Sequence, residues 1–431
     1  MMSLLLKGAY IITGDEKGTV IDDGYIGIRE SIIDYIGIGY EGICDRYERV
    51  WNLKNKVVMP GFVNAHNHSA MTVFRNYADD LKLMDWLFNT IFPLEDKITA
   101  KDAYWATQLA IMEMIKTGTT AFCDMYMYME ETAIAVSEVG IKAALGRGLQ
   151  GDIDTKDDFR LKESINLYRN FHGSNKGRIR VNLAPHSVYT CTMTYLEMVA
   201  KLAWDLNCEV QIHLSETDDE VRKSVAQHKM TPTKAADKAG LLNSKTIAAH
   251  CVAVNDNDLE ILVNKKVNVV HNPSSNMKLG SGIAPIKRMI DKRINVALGT
   301  DGASSNNGLD MLTEMRNASY LQKVVLKDPT AINVDQVIAM ATSNGAKALG
   351  FKNTGKIVTG YSADIIVIDI EKPWYYPRHN IKSSIVYSGC SKDVETVLID
   401  GEIIMEKGQM LTIDEEKVLY EIQRAADDLF L

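Results

Sequence analysis

What most limits the folds open to this chain is an alternation that runs through its middle. Apolar runs recur as V-V-M-P-G-F-V-N-A (57–65), T-T-A-F-C (119–123), I-K-A-A-L-G (141–146) and I-R-V-N-L-A (179–184). They continue as E-V-Q-I-H (209–213), T-I-A-A-H (246–250), V-N-V-V-H (267–271) and I-N-V-A-L-G-T (294–300). Amphipathic stretches with helical spacing lie between most of them, such as A-Y-W-A-T-Q-L-A-I-M-E-M-I-K. The short runs read as strands and the longer periodic ones as helices. Eight strands, each leading towards a helix, predict an α/β fold of the (β/α)₈ TIM-like barrel type. A doubly wound sheet is the competitor, but it needs fewer strands and often a Gly-rich phosphate loop, and none follows the first strand.

The two ends of the chain have a different texture. L-L-L-K-G-A-Y-I-I-T, G-Y-I-G-I-R and I-I-D-Y-I-G-I near the start are short β-rich runs split by Gly and Asp. A-D-I-I-V-I-D-I and E-T-V-L-I-D-G-E-I-I-M-E-K-G near the end match them. Together they predict one small β-sandwich domain formed from both chain ends, residues 1–56 and 353–431, around a catalytic barrel of residues 57–352.

Polar residues gather where the predicted strands finish. The first ends in His66 and His68, the fourth in His186, the fifth in His213 followed by Glu216, the sixth in His250 and the eighth in Asp301. In a barrel these ends meet at one face, where an active site is expected. Residues two apart on a strand share a side, so His66 and His68 point the same way. An isolated H-x-H is common, and any one histidine is most often a hydrogen-bonded core or loop residue; the shared topological position is the stronger signal. Three imidazoles and a carboxylate, His66, His68, His213 and Asp301, make a shell for one divalent metal ion per chain, with a position left for water. Zn²⁺ is the first choice, and Fe²⁺, Mn²⁺ and Ni²⁺ suit the same donors.

Charge and composition narrow the partners. The formal net charge is -8 with no basic block, which argues against nucleic acid. No run of eighteen apolar residues occurs and the start turns polar quickly, so neither a membrane span nor a signal peptide is expected. The six cysteines form no close pairs, which speaks against a disulfide framework and for a reducing, cytoplasmic setting. Self-association is compatible with such a chain, but the sequence does not give a subunit number.

The segments P-G-F-V-N-A-H-N-H, R-N-Y-A-D-D-L-K-L-M-D-W-L, I-F-P-L-E, E-M-I-K-T-G-T-T, A-P-H-S-V-Y-T-C, I-H-L-S-E-T, H-N-P-S-S-N-M-K-L-G-S-G and G-T-D-G-A-S-S-N-N carry a resemblance. With them the chain resembles, over nearly its whole length, the amidohydrolase superfamily and within it the 5-methylthioadenosine/S-adenosylhomocysteine deaminases. Asn67 departs from the Thr more usual between the paired histidines. Strand four ends in N-L-A-P-H without the bridging lysine of two-metal members, which matches the one-metal subgroup.

The resemblance implies hydrolytic deamination of 5′-modified adenosines to inosine derivatives and ammonia. C6 of adenine is a poor electrophile, so attack by water needs an activated nucleophile and a protonated ring. A divalent ion supplies the first by lowering the pKa of water. Glu216, three residues past His213, is placed to carry protons to ring N1 and then to the leaving ammonia. Asp301 can take the water proton as well as bind the metal, and His250 resembles the family histidine that steadies the new oxygen at C6. Glu95 resembles the residue that accepts the ribose hydroxyls, and Arg147 and His186 resemble residues on the 5′ side. Trp86, with Met84 nearby, is a candidate apolar wall. The alternatives are a related deaminase or chlorohydrolase acting on a free base or triazine, which Glu95 opposes, and a non-catalytic assembly module, which the intact ligand set opposes.

Overall fold

A computed structural model describes residues 3–151 and 158–430. Its strands, in chain order, are β1 (Ser3–Ile12), β2 (Val20–Arg29), β3 (Ile32–Ile38), β4 (Arg49–Asn52), β5 (Lys56–Pro60) and β6 (Phe62–Asn67). Next come β7 (Thr119–Tyr126), β8 (Lys142–Leu149), β9 (Ile179–Val181), β10 (Ala184–Pro185), β11 (Val210–Leu214) and β12 (Thr246–His250). The last are β13 (Asn268–His271), β14 (Asn295–Leu298), β15 (Ile365–Asp369), β16 (Val394–Ile399), β17 (Glu402–Glu406) and β18 (Gln409–Met410).

The parallel strands β6, β7, β8, the broken pair β9 and β10, and β11 to β14 form the barrel. Bridges Leu183–Val210 and Ser187–His213 join its two halves on one side. On the other side the Asp301 N–H donates to the His66 carbonyl at 3.0 Å. The predicted (β/α)₈ architecture is therefore present, with strand four short because Pro185 has no N–H to continue a ladder.

The run 57–65, read from sequence as one strand, is two. β5 pairs with β1 and β15 in the end sheet, whereas β6 pairs with β7 in the barrel. Gly61 makes the switch: a Cβ there would sit 2.2 Å from the Thr120 side chain. Both halves are apolar because both are buried, so hydrophobicity carries no mark of the boundary.

β1 to β5 and β15 to β18 join in one nine-stranded sheet among the described residues, around a core that includes Leu4, Leu6, Ile26, Ile28, Ile365 and Val367. This is the predicted union of the chain ends. The last helix, Glu415–Phe430, does not belong to it. Its buried face, Val418, Ile422, Ala425 and Leu429, lies against the barrel helix Ala100–Lys116, with Lys116–Glu415 and Lys101–Glu421 ion pairs along the seam. That 4-3-4 spacing is a helical period.

The end sheet is fastened where the barrel strands begin. Lys142, first residue of β8, places its ammonium 2.6 Å from Asp364 and 2.8 Å from Asp400, and Arg178 meets Asp400 at 2.8 Å. The Lys142 side chain is only 6% exposed, so this is a desolvated cluster that needs all its partners. The opposite ends of the strands are left free for chemistry.

Candidate active site

At those free ends is a cavity of about 510 Å³, lined among others by His68, Trp86, Glu95, Arg147, His186, His213, Glu216, His250 and Asp301. His66 lies buried among them, its ring 4.8 Å from that of His213. All ten residues singled out from the sequence are thus brought to one place. Met84, the neighbour of Trp86, is not among the lining residues.

The chain turns sharply as it leaves the strands. Ser215, His250, Cys251 and Asp301 have φ of 51°, 73°, 48° and 62°. Such left-handed conformations are uncommon without glycine and concentrate where function fixes a side chain.

One oxygen and several ring nitrogens converge. Asp301 Oδ1 is 3.2 Å from His68 Nε2 and 3.5 Å from His66 Nε2. Ligating atoms of His66, His213, His250 and Asp301 lie within 4.8 Å of one another. The other nitrogens decide how these rings can act. His68 Nδ1 lies 2.6 Å from the Met125 carbonyl and His213 Nδ1 2.9 Å from the His186 carbonyl, so each must hold its hydrogen there. Their Nε2 lone pairs then face each other at 3.2 Å, an arrangement that only a cation or a proton between them relieves. His66 Nε2 is buried with no hydrogen-bond partner among the described residues. Three inward lone pairs and a carboxylate oxygen fit a divalent ion.

His250 is the exception. Asn276 and Asn272 both offer side-chain N–H groups to its Nδ1, at 2.9 and 3.4 Å. Its own hydrogen therefore sits on Nε2, facing Glu216 Oε2 at 3.9 Å. That tautomer suits a hydrogen-bond donor rather than a metal ligand.

The electrostatics agree. Burial pulls His66 and His250 down to about 4 and His186 to about 3, which keeps these imidazoles neutral. Burial also depresses His68, but the hydrogen bond and charge of Asp301 outweigh it and push this one ring up to about 9. Burial would raise Asp301, yet bonds and charge from His66 and His68 hold its carboxyl well below the usual range. Asp301 Oδ2 accepts Ser275 and Ser305 hydroxyls at 2.6 and 3.0 Å. Glu216 is pushed up to about 8 by burial and then by Asp301, and Glu95 to about 7 by burial.

Further out, Trp86 is 5% exposed and its indole N–H meets no acceptor among the described residues. The Tyr126 phenol abuts Glu95. Arg147 is held by Glu163 at 2.6 Å, and both Arg147 and Arg160 flank the ring of Phe159. His186 lies beside His213, with ring centroids 4.7 Å apart. Sequence reading gave no role to Ser275, Asn276, Ser305, Tyr126 or Arg160. The first three follow strand ends in H-N-P-S-S-N and G-A-S-S-N-N, where runs of small polar residues were the available signal.

Comparison with known proteins follows this geometry. The amidohydrolase family model matches residues 57–404. A 5-methylthioadenosine/S-adenosylhomocysteine deaminase of Dictyoglomus turgidum is 46% identical over 428 residues, 99% of each chain. An adenosine deaminase from Xanthomonas campestris, solved with bound zinc, superposes with a TM-score of 0.94 at 31% identity, over 99% of this chain and 98% of that one. An atrazine chlorohydrolase from Arthrobacter aurescens, complexed with zinc, reaches 0.91 at 21% identity over 98% and 100%, a likeness of fold.

Proposed function

Since the chain belongs to the amidohydrolase family, and within it to the 5-methylthioadenosine/S-adenosylhomocysteine deaminases, we propose that it hydrolyses 5′-modified adenosines to inosine derivatives and ammonia. 5′-Methylthioadenosine and S-adenosylhomocysteine are the primary substrates, with 5′-deoxyadenosine and adenosine as further ones. His66, His68, His213 and Asp301 hold one divalent ion, Zn²⁺ by its donor set. Bound there, it lowers the pKa of water so that a nucleophile exists near neutral pH.

The chain's own groups do the rest. Glu216, protonated as it meets the substrate, gives its proton to ring N1, then takes the proton of the new C6 hydroxyl as the carbonyl forms and passes it to the departing amine, which leaves as ammonia. Asp301 receives the proton lost by water. His250 Nε2–H donates to the oxygen that develops at C6. His186, beside His213, contacts the heterocycle rather than the 5′ side. Arg147 and Arg160 at the rim suit the carboxylate of an amino-acid 5′ substituent. The six cysteines are free thiols, which supports a reducing, cytoplasmic setting.

The observation that carries a nucleoside, rather than a free base, is Glu95 together with Trp86. The Glu95 carboxylate, with the Tyr126 phenol beside it, and the Trp86 indole N–H, which has no acceptor among the described residues, line the same cavity as the metal cluster. Two acceptor oxygens and one donor match a vicinal diol. Glu95→Gln keeps the shape and removes the charge, weakening charge-assisted bonds of roughly 1.5–3 kcal/mol. An expected loss of about 10- to 150-fold in kcat/KM for 5′-methylthioadenosine follows. The loss should be much smaller for the 2′,3′-dideoxy analogue, which has no diol to lose. Equal losses on both substrates would show that Glu95 does not read the ribose.

A further inference from the structure

Glu220 is a buried acid that the mechanism above does not use. It stands in the first turn of the helix Asp218–His228 and is 2% exposed. Its oxygens accept two backbone N–H groups, Ser215 at 3.1 Å and Glu216 at 2.6 Å, and the N–H of Thr217 also faces it.

An ordinary helix cap does not need this. Three other α-helices among the described residues carry the reciprocal cap, in which the third residue's side chain bonds the N–H of the capping residue itself. Asp102 does so to Thr99 at 3.0 Å, Asp258 to Asn255 at 3.1 Å and Gln336 to Asn333 at 3.0 Å. Glu220 reaches beyond its cap, Thr217, to the two residues before it. Those residues form the turn off β11, where Ser215 is left-handed and Glu216 enters the cavity. A buried carboxylate so close to a second one is electrostatically costly: burial, and then the charge of Glu216, raise the affinity of Glu220 for a proton.

Resting on the reading of Glu216 as the proton carrier, we propose that Glu220 is a positioning residue for it: the carboxylate clamps the backbone of Ser215 and Glu216 and so aims the Glu216 side chain at the substrate ring. Glu216 has little else to fix it, a Ser281 hydroxyl at 3.2 Å and His250 at 3.9 Å. An error of about 1 Å in a reacting group costs on the order of 10²-fold in rate.

The test is a double-mutant cycle on the metal-loaded enzyme with 5′-methylthioadenosine. In Glu220→Gln, an amide N–H₂ faces one of the two backbone donors, and one bond is lost. The expected result is a fall in kcat of about 10- to 100-fold with KM and metal content unchanged. In a Glu216→Gln background the same substitution should cost nothing further, because there is no proton carrier left to aim. Thr217→Ala is the control: it removes the hydroxyl that accepts the Glu220 N–H at 3.2 Å, loosening the helix end but leaving the clamp. It should lower Tm while keeping kcat. Losses that multiply in the double variant, or equal losses in kcat for Thr217→Ala and Glu220→Gln, would reduce Glu220 to a helix cap and overturn the proposal. If Glu220→Gln purifies without metal, Glu220→Asp repeats the cycle, since one methylene less keeps the charge but cannot span both donors. Native turnover in Glu216→Gln would defeat the underlying reading, whereas a slow Glu216→Gln beside a fast Glu220→Gln would defeat this proposal alone.

Discussion

Removal of divalent ions by chelation and dialysis is expected to abolish deamination, by on the order of 10⁴-fold or more, and added Zn²⁺ to restore it. The size follows from the chemistry lost: a bound ion brings the pKa of water from 15.7 to about 7. The protein before chelation should contain about one ion per chain by elemental analysis. The cluster also predicts a proton count. With the ion stripped, His68 is held protonated up to about 9 because Asp301 outweighs its burial. At pH 8 that proton must leave when the metal enters, since the same Nε2 lone pair serves both. Titration calorimetry of the stripped protein with Zn²⁺, in buffers of differing ionisation enthalpy, should show about one proton released near pH 8 and fewer above pH 9. A fully active protein after exhaustive chelation would end the metal reading.

Glu216→Gln is expected to lower kcat by on the order of 10²- to 10⁴-fold while leaving metal content as it was. The carboxyl lies 3.9 Å from His250 Nε2, outside the proposed ligand set, so its loss should not release the ion. The pH profile separates its role from mere packing. Burial and Asp301 raise Glu216 to about 8, so the form that donates a proton is the one present at neutral pH. Activity should therefore fall as pH rises through that value. A bound cation opposes the Asp301 contribution and moves this limb to lower pH without changing its direction. Glu95 works in the opposite sense: raised to about 7 by burial, it accepts the ribose hydroxyls as an anion, so kcat/KM should fall as pH drops through its pKa. The wild-type profile is then a bell; Glu216→Gln should lose the alkaline limb and Glu95→Gln the acid one. Near-native turnover in Glu216→Gln would remove this residue from the mechanism.

The barrel and the strand-end residues His66, His68, His186, His213, Glu216, His250 and Asp301 were legible in local patterns, whereas Trp86, Glu95 and Arg147 were reached only through the resemblance of the segments that carry them. A strand period of two places His66 and His68 together, and the barrel topology gathers every strand end at one mouth. The β5–β6 boundary was not legible, because Val57–Pro60 and Phe62–Ala65 are equally apolar and only Gly61 separates them. The final helix was readable in Val418, Ile422, Ala425 and Leu429, but the β-rich texture before it drew the boundary too far. The tautomer of His250, the hydroxyls on Asp301 and the clamp at Glu220 depend on which groups meet across loops. No spacing in the chain encodes them, and neither does it tell that the Trp86 wall carries an N–H in search of an acceptor.

The seam under the barrel sets an order on biosynthesis. Lys142 leaves the ribosome 222 residues ahead of Asp364, and Asp400 comes later still. For much of translation its ammonium has no carboxylate to meet. Over the same interval β5 exposes the edge that β15 will cover. The nascent chain thus holds a nearly complete catalytic body with an uncompensated charge and an open strand edge, the features that invite chaperones or aggregation. Premature termination upstream of Asp364 should give insoluble fragments however much of the barrel they contain.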